Sequence, residues 1–423
     1  MSIARAELQS LPHSIFLHRV ADPQGGKGRE SRLGQAAFLA LRLIDLVVPD
    51  LGPAQEDAFE YQLAATDRFC RDLRPLAPEG GHLHALVTSA AAAHRQRDIH
   101  LLTPGLFAYA HFLEDALHLE EALDVLDTLR RVSGGRGSGS DAVALSLREG
   151  RVNRKLNRFD EADAAYAEAG ERASALGDSY SELLSKIGRA NTVLGRGNLP
   201  EAERRLTEVL VDARKEDERD AEARAEHGLA VVLQHRGSPD VALLHVWRAF
   251  ELFEDDEARL RALTDVGLIL LTMGDSVGAE RALLEVVRHG KTQDGVSNAT
   301  IELMHCASYR RDRVGFERWR TRCVELKDTM PPNILADYCL KAGIGEARFG
   351  HFARAARTMD GALKIAEDAG LHETVFRIER IKNGLAACEE SSLAPFAGEP
   401  ETLGNEAVRE VSASVSRLIA SPA

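Results

Sequence analysis

Pairs of small or apolar residues, always twelve positions apart, recur along the chain at a nearly constant interval. Seven pairs occur, and their second members follow one another at steps of 40, 40, 40, 37, 37 and 39 residues. They are Ala110 and Ala122, Gly150 and Ala162, Ala190 and Ala202, Ala230 and Ala242, Gly267 and Ala279, Met304 and Phe316, and Gly343 and Ala355. A fixed period of this size is typical of stacked helical repeats. The spacing therefore predicts an all-α solenoid over residues 99–371.

The composition supports such an array. At 423 residues the chain exceeds the size, roughly 250–300 residues, at which one core stops growing, whereas a solenoid buries each unit only against its neighbours. Aromatic residues make up only 5% of the chain, and abundant small side chains favour closely packed helices. The formal net charge of −13 argues against a nucleic-acid-binding protein whose whole surface is basic.

The cysteine content and the hydropathy pattern predict a cytoplasmic protein. The five cysteines are Cys70, Cys306, Cys323, Cys339 and Cys388, and no two form a CxxC motif, so we expect free thiols in a reducing compartment. The first twenty residues lack the apolar run of a signal peptide. No stretch approaches the ~18–20 uninterrupted apolar residues of a membrane span.

Residues 1–98 do not follow the phase of the repeat, and we expect them to form a helical cap with a flexible start. A polar, glycine-rich segment at 21–31 predicts a loop. Three helices are expected after it, at about 33–48, 54–73 and 82–97. A solenoid needs such a cap because its first apolar face has no preceding repeat to cover it.

Each repeat is predicted to be a helix hairpin. The turn after the first helix starts with Gly or Asn in several units, as at Asn157 and Gly197, and these residues tolerate the left-handed conformation that ends a helix. Pro or an acid follows at the start of the second helix, as at Pro200 and Asp240. The twelve-residue spacing then places both small residues where the two helices cross.

The hairpins resemble the tetratricopeptide repeat (TPR). That family combines a small residue in the first helix, an Ala twelve positions later, then a bulky and another small residue. The unit with Gly150 and Ala162 continues with Tyr166 and Ala169 in this pattern. The resemblance implies a right-handed superhelix of about seven hairpins with a concave binding groove. The period exceeds the usual ~34 residues and is similar to the longer TPR-like repeats of bacterial sensor and regulator proteins.

In TPR proteins the first helices line the groove. The resemblance places eight candidate ligand-binding residues there, namely Arg148, Arg151, Arg154, Lys155, Asn191, Arg224, His227 and Gln234. The four cations share one helix, and three of them share one side of it because they are three and four residues apart. They predict a receptor for an acidic segment or a chain-terminal carboxylate. The alternative is a solvated face that acids of the second helices balance, such as Asp160, Glu161 and Asp163.

The best-known TPR groove grips the terminal carboxylate of chaperone tails with Lys and Asn side chains. Asn191 and Arg261 match two positions of that clamp, whereas Ile187, Gly228 and Asp265 do not. We therefore do not expect a chaperone-tail adaptor.

The sixth unit departs from the pattern because Met304 and Phe316 replace the small residues. Its groove side carries Glu302, His305 and Tyr309. Bulky residues at a helix crossing predict either a pocket for a partner's side chain or a compensated core that includes Trp319, Cys306 and Cys323. The second interpretation is favoured.

Two further segments carry expectations. The charged stretch at 213–226 predicts a solvated helix that links two units. After residue 371 we expect a capping helix, a linker at 391–404 and an amphipathic helix at about 405–420. The apolar residues of that last helix are Val408, Val411, Val415 and Leu418. It either docks on the solenoid or stays mobile.

No pattern in the sequence predicts catalysis, a cofactor or a metal. The segment GGKGRES lacks the spacing of a phosphate-binding loop, and there is no HExxH, GxSxG or zinc-ligand spacing. We predict a non-catalytic scaffold or sensor that binds a protein or an extended peptide. The alternative is a regulatory protein that senses such a signal and controls a transcription factor or sigma factor. Direct nucleic-acid contact is not expected, because no helix-turn-helix or basic recognition helix is visible.

Overall fold

The computed structural model describes residues 11–21, 28–47, 53–133, 139–327, 330–390 and 406–420. The regular structure in these ranges is helical, with no β-strand, which confirms the predicted all-α class. The chain divides into two compact units, Met1–Arg196 and Gly197–Ala423. Within each unit successive helices pack together, the arrangement typical of an α-solenoid. The superhelix handedness, the repeat number and the predicted domain boundaries stay predictions.

The first unit contains eight long helices. They are α1 (Arg29–Asp45), α2 (Pro53–Leu73), α3 (Pro78–Gln96), α4 (Thr103–Asp115), α5 (Leu119–Ser133), α6 (Gly139–Lys155), α7 (Phe159–Leu176) and α8 (Ser179–Gly195). Short helical segments occupy Ser14–Leu17, His18–Ala21 and Ile99–Leu102. The three helices predicted before the repeats are present as α1 to α3, and each begins one to four residues before its predicted start.

Residues 11–21 pack against the first unit, although the sequence predicts a flexible start. Phe16 is fully buried. Arg19 bonds to the carboxylates of Glu79 and Glu121, with an Nη1–Oε2 distance of 2.9 Å to Glu79, and the Tyr109 hydroxyl donates to Glu79. A buried guanidinium needs such partners, because an unpaired buried charge is strongly destabilising. The two acids thus tie this segment to α3 and α5.

The second unit contains eleven helices among its described residues. They are α9 (Leu199–Lys215), α10 (Arg219–His235), α11 (Pro239–Leu252), α12 (Asp256–Thr272), α13 (Ser276–His289), α14 (Gln293–Tyr309), α15 (Arg313–Leu326), α16 (Pro332–Arg348), α17 (Phe352–Asp368), α18 (His372–Glu390) and α19 (Glu406–Ala420). From α4 to α18, the even-numbered helices are termed first helices and the odd-numbered ones second helices. In the described part of the chain, no helix is both long and apolar enough to cross a membrane.

The twelve-residue pairs and the turns behave as the sequence predicts. Every pair has one member on a first helix and the other on the following second helix, and all fourteen residues are buried. A Cβ atom at Gly343 would lie 3.2 Å from the Ala355 carbonyl oxygen, so the helices cross closely there. A residue with positive φ follows each first helix of a pair: Leu117, Asn157, Gly197, Gly237, Gly274, Arg311 and Gly350.

The charged stretch at 213–226 is not one solvated helix, which corrects the prediction. It contains the end of α9 and the start of α10, with Asp217 in the left-handed region at φ 56° between them. Ala221, Ala223 and Ala225 are fully buried. The stretch lacks Gly and Pro, so its break left no local sequence signal.

The bulky sixth pair is compensated within the core. Met304 is fully buried and Phe316 almost so. The Phe316 ring occupies the space that a side chain at Gly345 on α16 would need. Cys323 is buried in the same cluster, whereas Cys306 is buried in a separate one. A small residue one helix further along thus accepts the larger ring, as the favoured interpretation predicts.

The amphipathic helix α19 docks on the second unit. Its apolar face packs against α11 and α13, with Val408, Val411 and Val415 buried. The Ser412 hydroxyl donates to the Asp275 carboxylate at 2.6 Å. Of the two outcomes left open by the sequence, the structure therefore shows docking. The linker predicted at 391–404 lies outside the described residues.

Candidate binding surface on the first helices

Three of the predicted groove cations converge on one buried carboxylate. Glu114, near the end of α4, has a fully buried side chain. Arg148 Nη1 lies 2.6 Å from Glu114 Oε2, while Arg151 Nε and Lys155 Nζ lie 2.5 and 2.7 Å from Oε1. These α6 side chains are spaced three and four residues apart, so they reach the same point on α4. We term Glu114 and the four α6 cations the Glu114 cluster.

The cations change the titration of the carboxylate they surround. Burial by itself raises the pKa of Glu114, but the charges of Arg151 and Lys155 and the hydrogen bonds it accepts lower that pKa to about 2. Glu114 is therefore ionised at neutral pH. It offsets the mutual repulsion of the cations and holds them in one place.

The cluster keeps an excess of positive charge. Arg148, Arg151 and Lys155 face two carboxylates, those of Glu114 and Asp115, and Asp115 is itself 3.0 Å from the imidazole of His111. The side chains of Arg148, Arg151 and Lys155 remain 24%, 36% and 25% exposed. The net result is one uncompensated positive charge on a surface that solvent can reach.

Arg154, the fourth cation, faces another neighbour. It hydrogen-bonds with the phenol of Tyr166. Burial raises the pKa of that phenol, and Arg154 partly lowers it again. The Arg154 Nε atom is buried and has no hydrogen-bond partner within the described ranges. A buried guanidinium N–H without an acceptor is costly, so this donor is an unsatisfied group beside the cluster.

Two of the three acids that the sequence put forward as balancing charges act elsewhere. Asp160 bonds to Arg196 at 2.6 Å and Asp163 to Arg189 at 2.9 Å. The balancing charge of the cluster is Glu114, one repeat earlier. The sequence did contain a signal for it, because Glu114 lies on the predicted groove side of the first repeat's first helix.

The other predicted residues belong to both units, and each is described within its own. Asn191 is half-buried on α8 of the first unit. In the second unit, Arg224 bonds to Asp220 on its own helix, and Gln234 is half-buried on α10. The His227 Nε2 atom lies 2.6 Å from the Asp265 carboxylate on α12. Asp265, the residue that conflicts with a chaperone-tail clamp, is thus paired within the fold.

Within each unit, charge pairs join successive first helices, and we term these pairs the ladder. Arg151 reaches Glu114 across 37 positions, and His227 reaches Asp265 across 38. Lys341 on α16 bonds to Glu302 on α14, 39 positions away, and also to Asp337 at 2.6 Å. Asp337 in turn accepts from Arg377 on α18, across 40 positions. The repeat period therefore sets which charges meet, and most groove-side cations have an acid from a neighbouring helix.

Comparison with known proteins agrees with this architecture. No protein-family model and no curated protein sequence matches the chain. Among solved structures, the Rap conjugation gene regulator of the plasmid pLS20, in complex with the Phr* peptide, aligns with a TM-score of 0.54 over 82% of this chain and 96% of that one, at 11% identity. The fold is TPR-like. At this identity the likeness shows the fold alone.

Two weaker TPR-like matches accompany it. The apo form of the quorum sensor NprR from B. thuringiensis aligns with a TM-score of 0.49 and 10% identity, over 85% of this chain and 94% of that one. A kinesin light chain from Podosopora anserina with nearly identical TPR-like repeats aligns over 44% of this chain and 95% of that one, with a TM-score of 0.36 and 15% identity.

Among the residues described, no group of three or more His, Cys, Asp or Glu side chains is placed to hold a metal ion.

Proposed function

We propose that this TPR-like chain is a non-catalytic sensor or scaffold that binds an acidic peptide at the Glu114 cluster. The observation that carries the proposal is the excess of positive charge at Arg148, Arg151 and Lys155, which one buried carboxylate holds in fixed positions and which solvent can reach. An acid from a ligand would remove that excess through charge-assisted hydrogen bonds. Because the cations are already positioned, little ordering cost falls on the protein.

A peptide is favoured over a small anion because Asn191, another predicted groove residue, lies on α8, the next first helix of the same unit. The structure of the Rap regulator of pLS20 contains a bound peptide, Phr*, and we extend a ligand of that kind to this chain. The buried thiols of Cys70, Cys306 and Cys323 support a reducing compartment, so we place this function in the cytoplasm.

The proposal is tested by selecting peptides from a displayed random library on the full chain and on an Arg148→Gln, Arg151→Gln double variant. We expect the wild type to enrich peptides with Asp, Glu or a free terminal carboxylate. The double variant should bind the selected peptides roughly 10- to 100-fold more weakly, the range expected for one or two hydrogen bonds to charged groups. The difference should shrink as salt is added.

A charge-matched double variant serves as the control. Arg68→Gln with Arg95→Gln removes the same charge from exposed positions on α2 and α3, and should leave peptide binding unchanged. The proposal would be overturned if the selected peptides bound the Arg148→Gln, Arg151→Gln variant with the same affinity as the wild type.

A second candidate is that the sensor controls a transcription factor or sigma factor. The likeness to a conjugation gene regulator over 82% of the chain supports it. The test is affinity purification from the native host with and without a selected peptide. A transcription or sigma factor retained in only one of the two states is the expected result, and identical retained proteins in both states would contradict this candidate.

A further inference from the structure

Arg348, at the end of α16 in the second unit, is a half-buried cation without an acid partner. No carboxylate of the described residues lies within 4 Å of its guanidinium. Its Nη1 donates to the Ser308 hydroxyl at 2.8 Å, and the guanidinium carbon lies 5.4 Å from the centre of the Tyr309 ring. A guanidinium has five N–H donors, so most of its donor capacity is unused by these contacts.

The ladder of charge pairs makes this position unusual. The neighbouring cation on the same helix, Lys341, meets Glu302 from the preceding first helix. For Arg348, the residue 40 positions earlier is Ser308, which supplies a hydroxyl and no charge. The acid that the repeat supplies to Lys341 is thus missing at Arg348.

A second unsatisfied group lies on the same helix face as Tyr309. His305 is four residues before Tyr309 on α14, and its Nδ1 atom is buried without a hydrogen-bond partner. Burial, with the nearby charges of Arg348 and Lys341, lowers the pKa of His305 to about 3, so the imidazole is neutral at pH 7. Tyr309 is 43% exposed, which leaves its ring and hydroxyl accessible from solvent.

We propose that Arg348, with His305 and Tyr309 beside it, is a receptor for one carboxylate of a peptide ligand. This inference rests on the proposed function, because it assumes that the ligand is a peptide. A single guanidinium presents a planar fork that fits the two oxygens of a carboxylate, and its one charge matches a monoanion. The carboxylate comes either from the peptide's C-terminus or from an Asp or Glu side chain.

The neighbouring imidazole supplies an internal reporter of binding. A carboxylate placed on Arg348 offsets the positive charge that helps to keep His305 neutral. Binding should therefore raise the pKa of His305, whereas binding elsewhere on the chain should leave it unchanged.

The probe for the site itself is acetate, titrated into the full chain at pH 7 and constant ionic strength. NMR of the Arg Nε–H groups and the His ring carbons follows the binding. We expect saturable shifts of the Arg348 Nε–H group and of the His305 ring carbons. Arg348→Gln should weaken acetate binding at this site roughly 10- to 100-fold, as read from the His305 shifts. Arg357→Gln, which removes an exposed arginine on α17, should change nothing.

Shifts that do not saturate, or that are equal at Arg357, would overturn the proposal. If Arg348→Gln does not fold by circular dichroism, Arg348→Lys keeps the charge and removes the fork. That variant should bind acetate more weakly than the wild type, and wild-type affinity would also overturn the proposal.

The peptides selected on the wild-type chain then distinguish the two carboxylate sources. Loss of Arg348-dependent binding on C-terminal amidation assigns the terminal carboxylate, and loss on Asp→Asn or Glu→Gln exchange assigns a side chain. Peptide binding that is indifferent to Arg348 in both arms overturns the peptide part of the proposal. Saturable acetate binding in a chain that selects no peptide would support the carboxylate receptor and contradict the proposed function.

Discussion

The ring of Tyr166 on α7 packs directly against the backbone of Gly188 on α8, in a space that any other side chain at 188 would overlap. The same ring also lies on Gly150 of α6, where a Cβ atom would be 2.9 Å from its carbons. One bulky residue of the second repeat thus depends on glycines in the first helix of its own hairpin and in the next first helix. Phe316 and Gly345 repeat this arrangement in the second unit.

We expect Gly188→Ala to destabilise the first unit by about 1–3 kcal/mol, because overpacking of a filled core displaces side chains from their preferred rotamers. The matched control is Gly361→Ala on α17, where a new Cβ atom would meet nothing within 4 Å. That change should stabilise the protein by about 0.5–1 kcal/mol, since Ala is the better helix former. Urea unfolding measures both changes, and equal effects would contradict the packing argument.

The Glu114 cluster predicts a specific dependence of stability on pH. The folded pKa of Glu114, about 2, is below its ordinary value of 4.5. The stabilisation is therefore complete above about pH 4.5 and is lost as the pH falls through 2. Glu114→Gln should remove this dependence and cost roughly 2–4 kcal/mol at pH 7, because it leaves the half-buried cations without their acid.

The control for this prediction is Glu120→Gln. Glu120 pairs with Arg158 at an exposed position on α5, and such pairs contribute about 0–1 kcal/mol. Unfolding free energies measured between pH 2 and 7 provide the comparison. Parallel pH profiles for the wild type and Glu114→Gln would show that Glu114 is not the group responsible.

The features that the sequence predicted well depend on local spacing. The twelve-residue pairs, such as Gly343 and Ala355, reveal helix crossings because size and periodicity are encoded within one hairpin. The break at Asp217 was missed because no Gly or Pro marks it. The sequence also did not identify the partners of the charged residues. Glu114 meets Arg148 across 34 positions, and Arg19 meets Glu121 across 102, so these contacts appear only when separate helices are placed in space.

The docked helix α19 gives the last prediction. Because Val415 is buried against the second unit, Val415→Asp would place a charge among apolar side chains, and we expect α19 to dissociate. An undocked helix of this length is marginal in water, so its amides should exchange hydrogen rapidly. Ala413→Asp adds the same charge at an exposed position of α19 and should leave exchange slow. Hydrogen exchange followed by mass spectrometry distinguishes the two variants. Slow exchange in Val415→Asp would mean that the apolar face does not hold α19 in place.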